Sequence, residues 1–289
     1  MPPAETRPSW TTVALGKSEW VDIQDPTQED VDALARRYPF HPLNLEDCLS
    51  NRQLTRVEDH ESHVFVLMHF PTINHDGHVV RSQLTMFVGE DYLVSLHGSA
   101  LALVRETAQA LGPDDRLRAS MMESPAHLVY SVIDKLVDGL FPLLDKLRGD
   151  LDAIEDDVFD EKISPAARIN SLRRKIADLQ RVVTPLRLTV QETWEHLKKY
   201  SSKELEAYFT DVLDHMNNAS EVLQEARETI EIYKDTNFLM SADKTNRVLI
   251  ILTIIFTLTL PAAIVAAIYG MNVALPLGNG QNPPTILGP

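Results

Sequence analysis

Cysteine is almost missing: Cys48 stands alone in 289 residues, so neither an internal disulfide nor a paired-thiol zinc site can form, and a reducing compartment fits. Positive charge is scarce. Lys plus Arg total 27 against 42 for Asp plus Glu, and the formal charge of −15 repels nucleic acid and anionic lipid while concentrating cations. Charge of either sign vanishes at one end, because Val248 to Pro289 contains no Asp, Glu, Lys or Arg. Met1 to Asp30 lacks an apolar run beside a basic segment, so no secretory leader is readable there. A nucleophile elbow and a Gly-rich phosphate loop after a strand are also missing, which leaves hydrolase and nucleotide-driven readings without support and predicts that the chain is not an enzyme.

The uncharged end contains the clearest positive signal. Val248 to Tyr269 is almost wholly apolar over about 22 residues, enough at 1.5 Å per residue for a hydrocarbon layer of about 30 Å. One membrane span is predicted. Pro261 within it is tolerable if Thr257 or Thr259 resatisfies the carbonyl it frees. Lys244 and Arg247 precede the span and no positive charge follows, which predicts a cytoplasmic amino-terminal region and an outward-facing tail.

Upstream, 44% apolar content allows a sizeable core. Residues 1–123 read as a small α/β domain, with strands at His63 to Phe70, Gln83 to Val88 and Asp91 to His97, the last two joined by a turn at Gly89-Glu90. Helices are expected at Thr27 to Tyr38, capped by Thr27, at Leu43 to Leu49 and at Ala100 to Leu111. Residues 124–247 read as long helices and a stalk: Pro125 to Phe159, Pro165 to Tyr200, and a third from Ser202 into the span, about 68 residues and roughly 100 Å if continuous. Its soluble half carries Leu205, Phe209, Val212, Met216, Ala219, Leu223, Ala226 and Ile230 at steps of three and four, a stripe that fits either a seam between copies or an intramolecular bundle. Residues 248–269 are the span and 270–289 the outer segment.

Within the span Asn246, Leu249, Thr253, Phe256, Leu260, Ala263 and Ala267 share one stripe, which can line a pore or simply pack against other membrane helices. Asn246 favours the pore, since a carboxamide at the membrane edge would form a hydrogen-bonding ring in a symmetric oligomer. Gly270-Met271-Asn272 follows where the helix meets water, and carbonyl and amide oxygens there suit a hydrated Mg2+, which sheds water reluctantly. His60 and His63 flank Glu61, but they precede a strand and have no nearby Cys, which disfavours zinc. Asn218-Ala219-Ser220 spells a glycosylation site on a segment read as cytoplasmic, and so carries no meaning.

Tyr269-Gly270-Met271-Asn272 after a threonine-rich apolar helix, with Lys244-Thr245-Asn246 before it, resembles the CorA family of magnesium channels, including its ZntB branch. Three further stretches, Leu45 to Leu49, Val132 to Asp138 and Tyr208 to His215, resemble family segments in order and spacing. The resemblance implies an α+β membrane protein: a homopentamer with a cytoplasmic α/β/α domain, a long stalk helix continuing into the transmembrane pore helix, and an outer second span. It also implies Glu46, Asp47, Asp134 and Asp211 as regulatory Mg2+ ligands between neighbouring domains. Gly270, Met271 and Asn272 would form the outer selectivity ring, Asn246 an inner polar ring, and Leu249, Leu252, Phe256 and Leu260 an apolar constriction. The transported ion would be Mg2+, with Co2+ or Ni2+, or Zn2+ as in the ZntB branch. Val273 to Pro289 is short and broken by Pro and Gly, so the second span is expected to be absent from this chain, which also admits a non-conducting cation-sensing subunit.

Overall fold

Alternation builds the sheet. In β4 (Val64–Ile73), Val64, Val66, Met68 and Phe70 enter one core cluster while Phe65 and Leu67 enter another, so the strand is buried on both faces. The computed structural model describes residues 10–15, 18–50, 53–111, 123–159, 164–201 and 204–270. Five more strands join β4: β1 (Trp10–Leu15), β2 (Ser18–Gln24), β3 (Arg56–Asp59), β5 (Val79–Val88) and β6 (Tyr92–His97). Their order is β1-β2-β6-β5-β4-β3, with β2 parallel to β6 and every other pair antiparallel. The expected turn between β5 and β6 is present, the Gly89 N–H donating to the Tyr92 carbonyl.

A buried polar chain fixes the parallel pair. Trp20 Nε1 donates to Ser95 Oγ at 2.9 Å, Ser95 Oγ donates to Asp22 Oδ1 at 2.6 Å, and His97 Nε2 lies 3.3 Å from the same carboxylate oxygen. One-residue slippage would break these links and turn Val21 and Ile23 out of their cluster.

Helices α1 (Gln28–Arg37) and α2 (Pro42–Asp47) cover one face through Val31, Leu34 and Leu45. Thr27 caps α1 as expected, in a reciprocal box with Asp30. The other face is covered by α3 (Ala102–Leu111) and α4 (Pro125–Asp138), whose core cluster continues through α5 (Phe141–Phe159), α6 (Ala166–Leu197) and α7 (Leu205–Gly270). The helix expected over Pro125 to Phe159 is two helices. Gly139 caps α4, and Pro142, which lacks an N–H, is tolerated only because it lies in the first turn of α5.

Two compact units divide the chain, Met1–Lys234 and Asp235–Pro289. In the first, Leu205, Phe209, Val212, Met216, Ala219, Leu223, Ala226 and Ile230 are all buried within one chain, so this stripe of α7 serves the intramolecular bundle. In the second, the described residues from Asp235 to Gly270 bury no side chain. The helix carries a stretch long and apolar enough to cross a membrane, and its side chains need lipid or another copy as partners. Thr257 and Thr259 do not act on the carbonyl freed by Pro261. Their hydroxyls donate to the Thr253 and Ile255 carbonyls, one turn back, because a helical threonine reaches its own i−4 carbonyl.

Candidate metal centre

Helical spacing assembles the acids. Asp211 and His215 are one turn apart on α7, and Asp134 projects from α4 one turn beyond Tyr130. One ligand atom from each of Asp134, Asp211 and His215 lies within 4.8 Å of the others. Among the described residues this is the grouping of three such side chains close enough to hold a metal ion. Asp138, the next turn of α4, approaches to 3.6 Å from His215 Nδ1, and Phe141 sets its ring edge-on to the imidazole with centroids 5.6 Å apart.

The electrostatics favour a cation here. Burial, and after it the charge of Asp138, push the Asp134 carboxyl above the usual carboxylate range, against the opposing pull of His215. Burial first, then Asp134 and Asp211, push the Tyr130 phenol up to about 12. In both groups burial contributes most and the neighbouring carboxylates add to it. His215 Nδ1 is buried and makes no hydrogen bond among the described residues. Two carboxylates and an imidazole are a donor set that fits a divalent ion, with the carboxylates suiting Mg2+ and the nitrogen suiting Co2+, Ni2+ or Zn2+.

The other acids singled out in the sequence lie elsewhere. Glu46 and Asp47 end α2, on the opposite face of the sheet from α4 and α7. Glu46 is exposed, whereas Asp47 forms an ion pair with Arg56. Within one chain, therefore, Asp134 and Asp211 meet and the α2 acids do not join them. Among the described residues His60 and His63 join no metal grouping: His60 Nε2 faces Asn44 Nδ2 at 3.0 Å, and His63 is buried against Phe40 and Phe87. In the second unit Asn246, Leu249, Leu252, Phe256 and Leu260 are exposed along α7, and Gly270 is its last residue. Met271 and Asn272 fall outside the described residues.

Comparison with known proteins gives the arrangement its context. The family model described as "CorA-like Mg2+ transporter protein" matches residues 16–288. The chain belongs to this family. Among its CorA relatives, the cobalt/magnesium transport protein CorA of Thermotoga maritima is 29% identical over 260 residues, covering 88% of this chain and 72% of that protein. The complete structure of the CorA magnesium transporter from Methanocaldococcus jannaschii matches with a TM-score of 0.77 at 19% identity, over 92% of this chain and 84% of that one. The ZntB cytoplasmic domain from Vibrio parahaemolyticus matches with a TM-score of 0.63 at 11% identity, over 80% of this chain and 90% of that domain. At these identities both structures speak for the fold alone. Members of the CorA family are metal-ion transporters of the membrane type.

His215 belongs to this grouping although no sequence motif marks it as a ligand. Its signal was present in the Asp211-to-His215 spacing of four, which places both on one helix face beside whatever α4 presents.

Proposed function

We propose that this chain forms the pore of a CorA-type channel that passes Mg2+, with Co2+ and Ni2+, down the membrane potential. The convergence of Asp134, Asp211 and His215 carries this reading, because it gathers two carboxylates and an imidazole into a donor set that suits a divalent cation. An inside-negative potential of 100 mV favours entry of a divalent ion by about 4.6 kcal/mol, at about 2.3 kcal/mol per charge, so no nucleotide is needed. Lys244 and Arg247 before the span favour a cytoplasmic amino-terminal region in the cell membrane.

The placement of the acids supports a gating role. Glu46 and Asp47 lie on the opposite face of the sheet from Asp134 and Asp211, so one cation can engage both sets only between neighbouring copies. Bound at high internal concentration, such ions tie subunits together and hold a homopentameric pore shut; their loss leaves repelling carboxylates and releases it. Asn246 and residues 270–272 serve as polar rings, and Leu249, Leu252, Phe256 and Leu260 as a constriction that closes by dewetting. Residues 1–123, 124–247, 248–269 and 270–289 then act as regulatory domain, stalk, pore helix and outer ring.

A second reading is zinc transport of the ZntB type. It is favoured by one observation, the imidazole of His215 among the carboxylates, since nitrogen ligands suit Zn2+ better than Mg2+. Growth rescue separates the two. Expression in cells lacking their own magnesium uptake should restore growth at low Mg2+; no rescue together with altered zinc tolerance would replace the magnesium reading by the zinc one.

A further inference from the structure

The carboxylate of Asp47 is already neutralised within its own chain. Its side chain is only 13% exposed, and Arg56 Nη2 forms an ion pair with Asp47 Oδ2. Two other contacts hold the guanidinium: Arg56 Nε bonds Glu58 Oε1 at 2.7 Å, and the charge lies over the Phe65 ring, 5.1 Å from its centroid. The acid is positioned as well, because Gln83 Nε2 donates to the Asp47 carbonyl at 3.0 Å. Neighbouring Glu46 differs, being exposed at the same helix end.

These contacts make Arg56 a cation on a tether. A guanidinium bound to a carboxylate cancels the negative charge that draws a divalent ion, and its own positive charge repels an ion brought to the same carboxylate. The two cations therefore compete for Asp47 through charge. When displaced, Arg56 does not become an unpaired buried charge, since Glu58 and Phe65 still receive it. Exchange is thereby kept within reach.

We propose that Arg56 is a built-in competitor for divalent cation at Asp47, raising the cation concentration at which the regulatory site fills. This rests on the reading of Asp47 as a cation ligand. Only the fraction of subunits with Arg56 swung away presents Asp47, and the apparent affinity falls by that fraction. For a partly buried, charge-assisted pair the factor is on the order of tenfold.

The test is Mg2+ protection of the full 289-residue chain in nanodiscs against proteinase K, titrated for wild type, Arg56→Gln, Arg56→Lys, Asp47→Asn and the Arg56→Gln/Asp47→Asn double variant. Arg56→Gln should lower the protection midpoint about tenfold, and Arg56→Lys, which keeps the charge and the fold but loses the planar fork, should lower it less. The double variant should show no gain over Asp47→Asn. Equal midpoints in wild type and both Arg56 variants, or a gain that persists without Asp47, would overturn the competition while leaving the cation-regulated reading intact. Absence of Mg2+ protection in wild type and variants alike would overturn both.

Discussion

Replacing Asp134 with Asn should stabilise the protein without divalent cation and weaken its response to cation. The ligand atoms of Asp134 and Asp211 lie within 4.8 Å, so at an effective dielectric of about 20 two full charges repel by roughly 3.5 kcal/mol. Solvent screens this heavily, because the Asp211 side chain is 63% exposed, and about 1 kcal/mol is the appropriate scale. For a folded unit of this size that corresponds to a rise in Tm of about 2–4 °C in EDTA. Saturating Mg2+ should act oppositely. At a concentration of 100 Kd a bound ion stabilises wild type by about 2.7 kcal/mol, and losing one of two carboxylates should remove at least about half of the resulting Tm increment. Thermal melts by circular dichroism at pH 8, with EDTA or with Mg2+, measure both quantities. A lower Tm in EDTA would show Asp134 to be an ordinary structural ion partner; an intact Mg2+ increment would remove it from the site.

Phe209 is fully buried and stacked on Trp194 with centroids 4.7 Å apart, so Phe209→Ala should cost about 3–5 kcal/mol in urea unfolding, and a loss under about 1 kcal/mol would contradict the bundle packing. Thr27→Ala removes a reciprocal cap and should cost about 1 kcal/mol in the same assay. Burial, reinforced for His63 by His60 and for His69 by Arg81, lowers both imidazoles from 6.5 to about 4. The unfolded chain therefore binds more protons between those values, and stability should fall as pH drops from about 6.5 to 4, by at most about 1.4 kcal/mol per pH unit per ring. His69→Leu should flatten that profile in pH-resolved melts, and an unchanged slope would refute the assignment.

Local physics was the legible part of this molecule. Thr27 ahead of an amphipathic run announced α1, Gly89-Glu90 between apolar runs announced the β5–β6 turn, and the uncharged stretch after Arg247 announced a helix fit to cross a membrane. What depended on distant partners was harder to read. β2 carries Asp22 at its centre, a charge that reads against a buried strand until His97 and Ser95, more than seventy residues away, are seen to meet it. The stripe from Leu205 to Ile230 fits a seam between copies or a bundle equally well in sequence, and only packing against the preceding helices decides for the bundle. Asp134 and Asp211 were legible as candidates through family resemblance, whereas their meeting with His215, and the capture of Asp47 by Arg56, needed three dimensions.

Passive divalent-cation transport is tested most directly by flux. The 289-residue chain, reconstituted in liposomes loaded with a Mg2+-sensitive dye, should admit Mg2+ when an inside-negative potassium diffusion potential is applied, without nucleotide and faster as the potential grows. Folded, membrane-inserted protein that admits no Mg2+, Co2+, Ni2+ or Zn2+ above protein-free liposomes at any potential would contradict it.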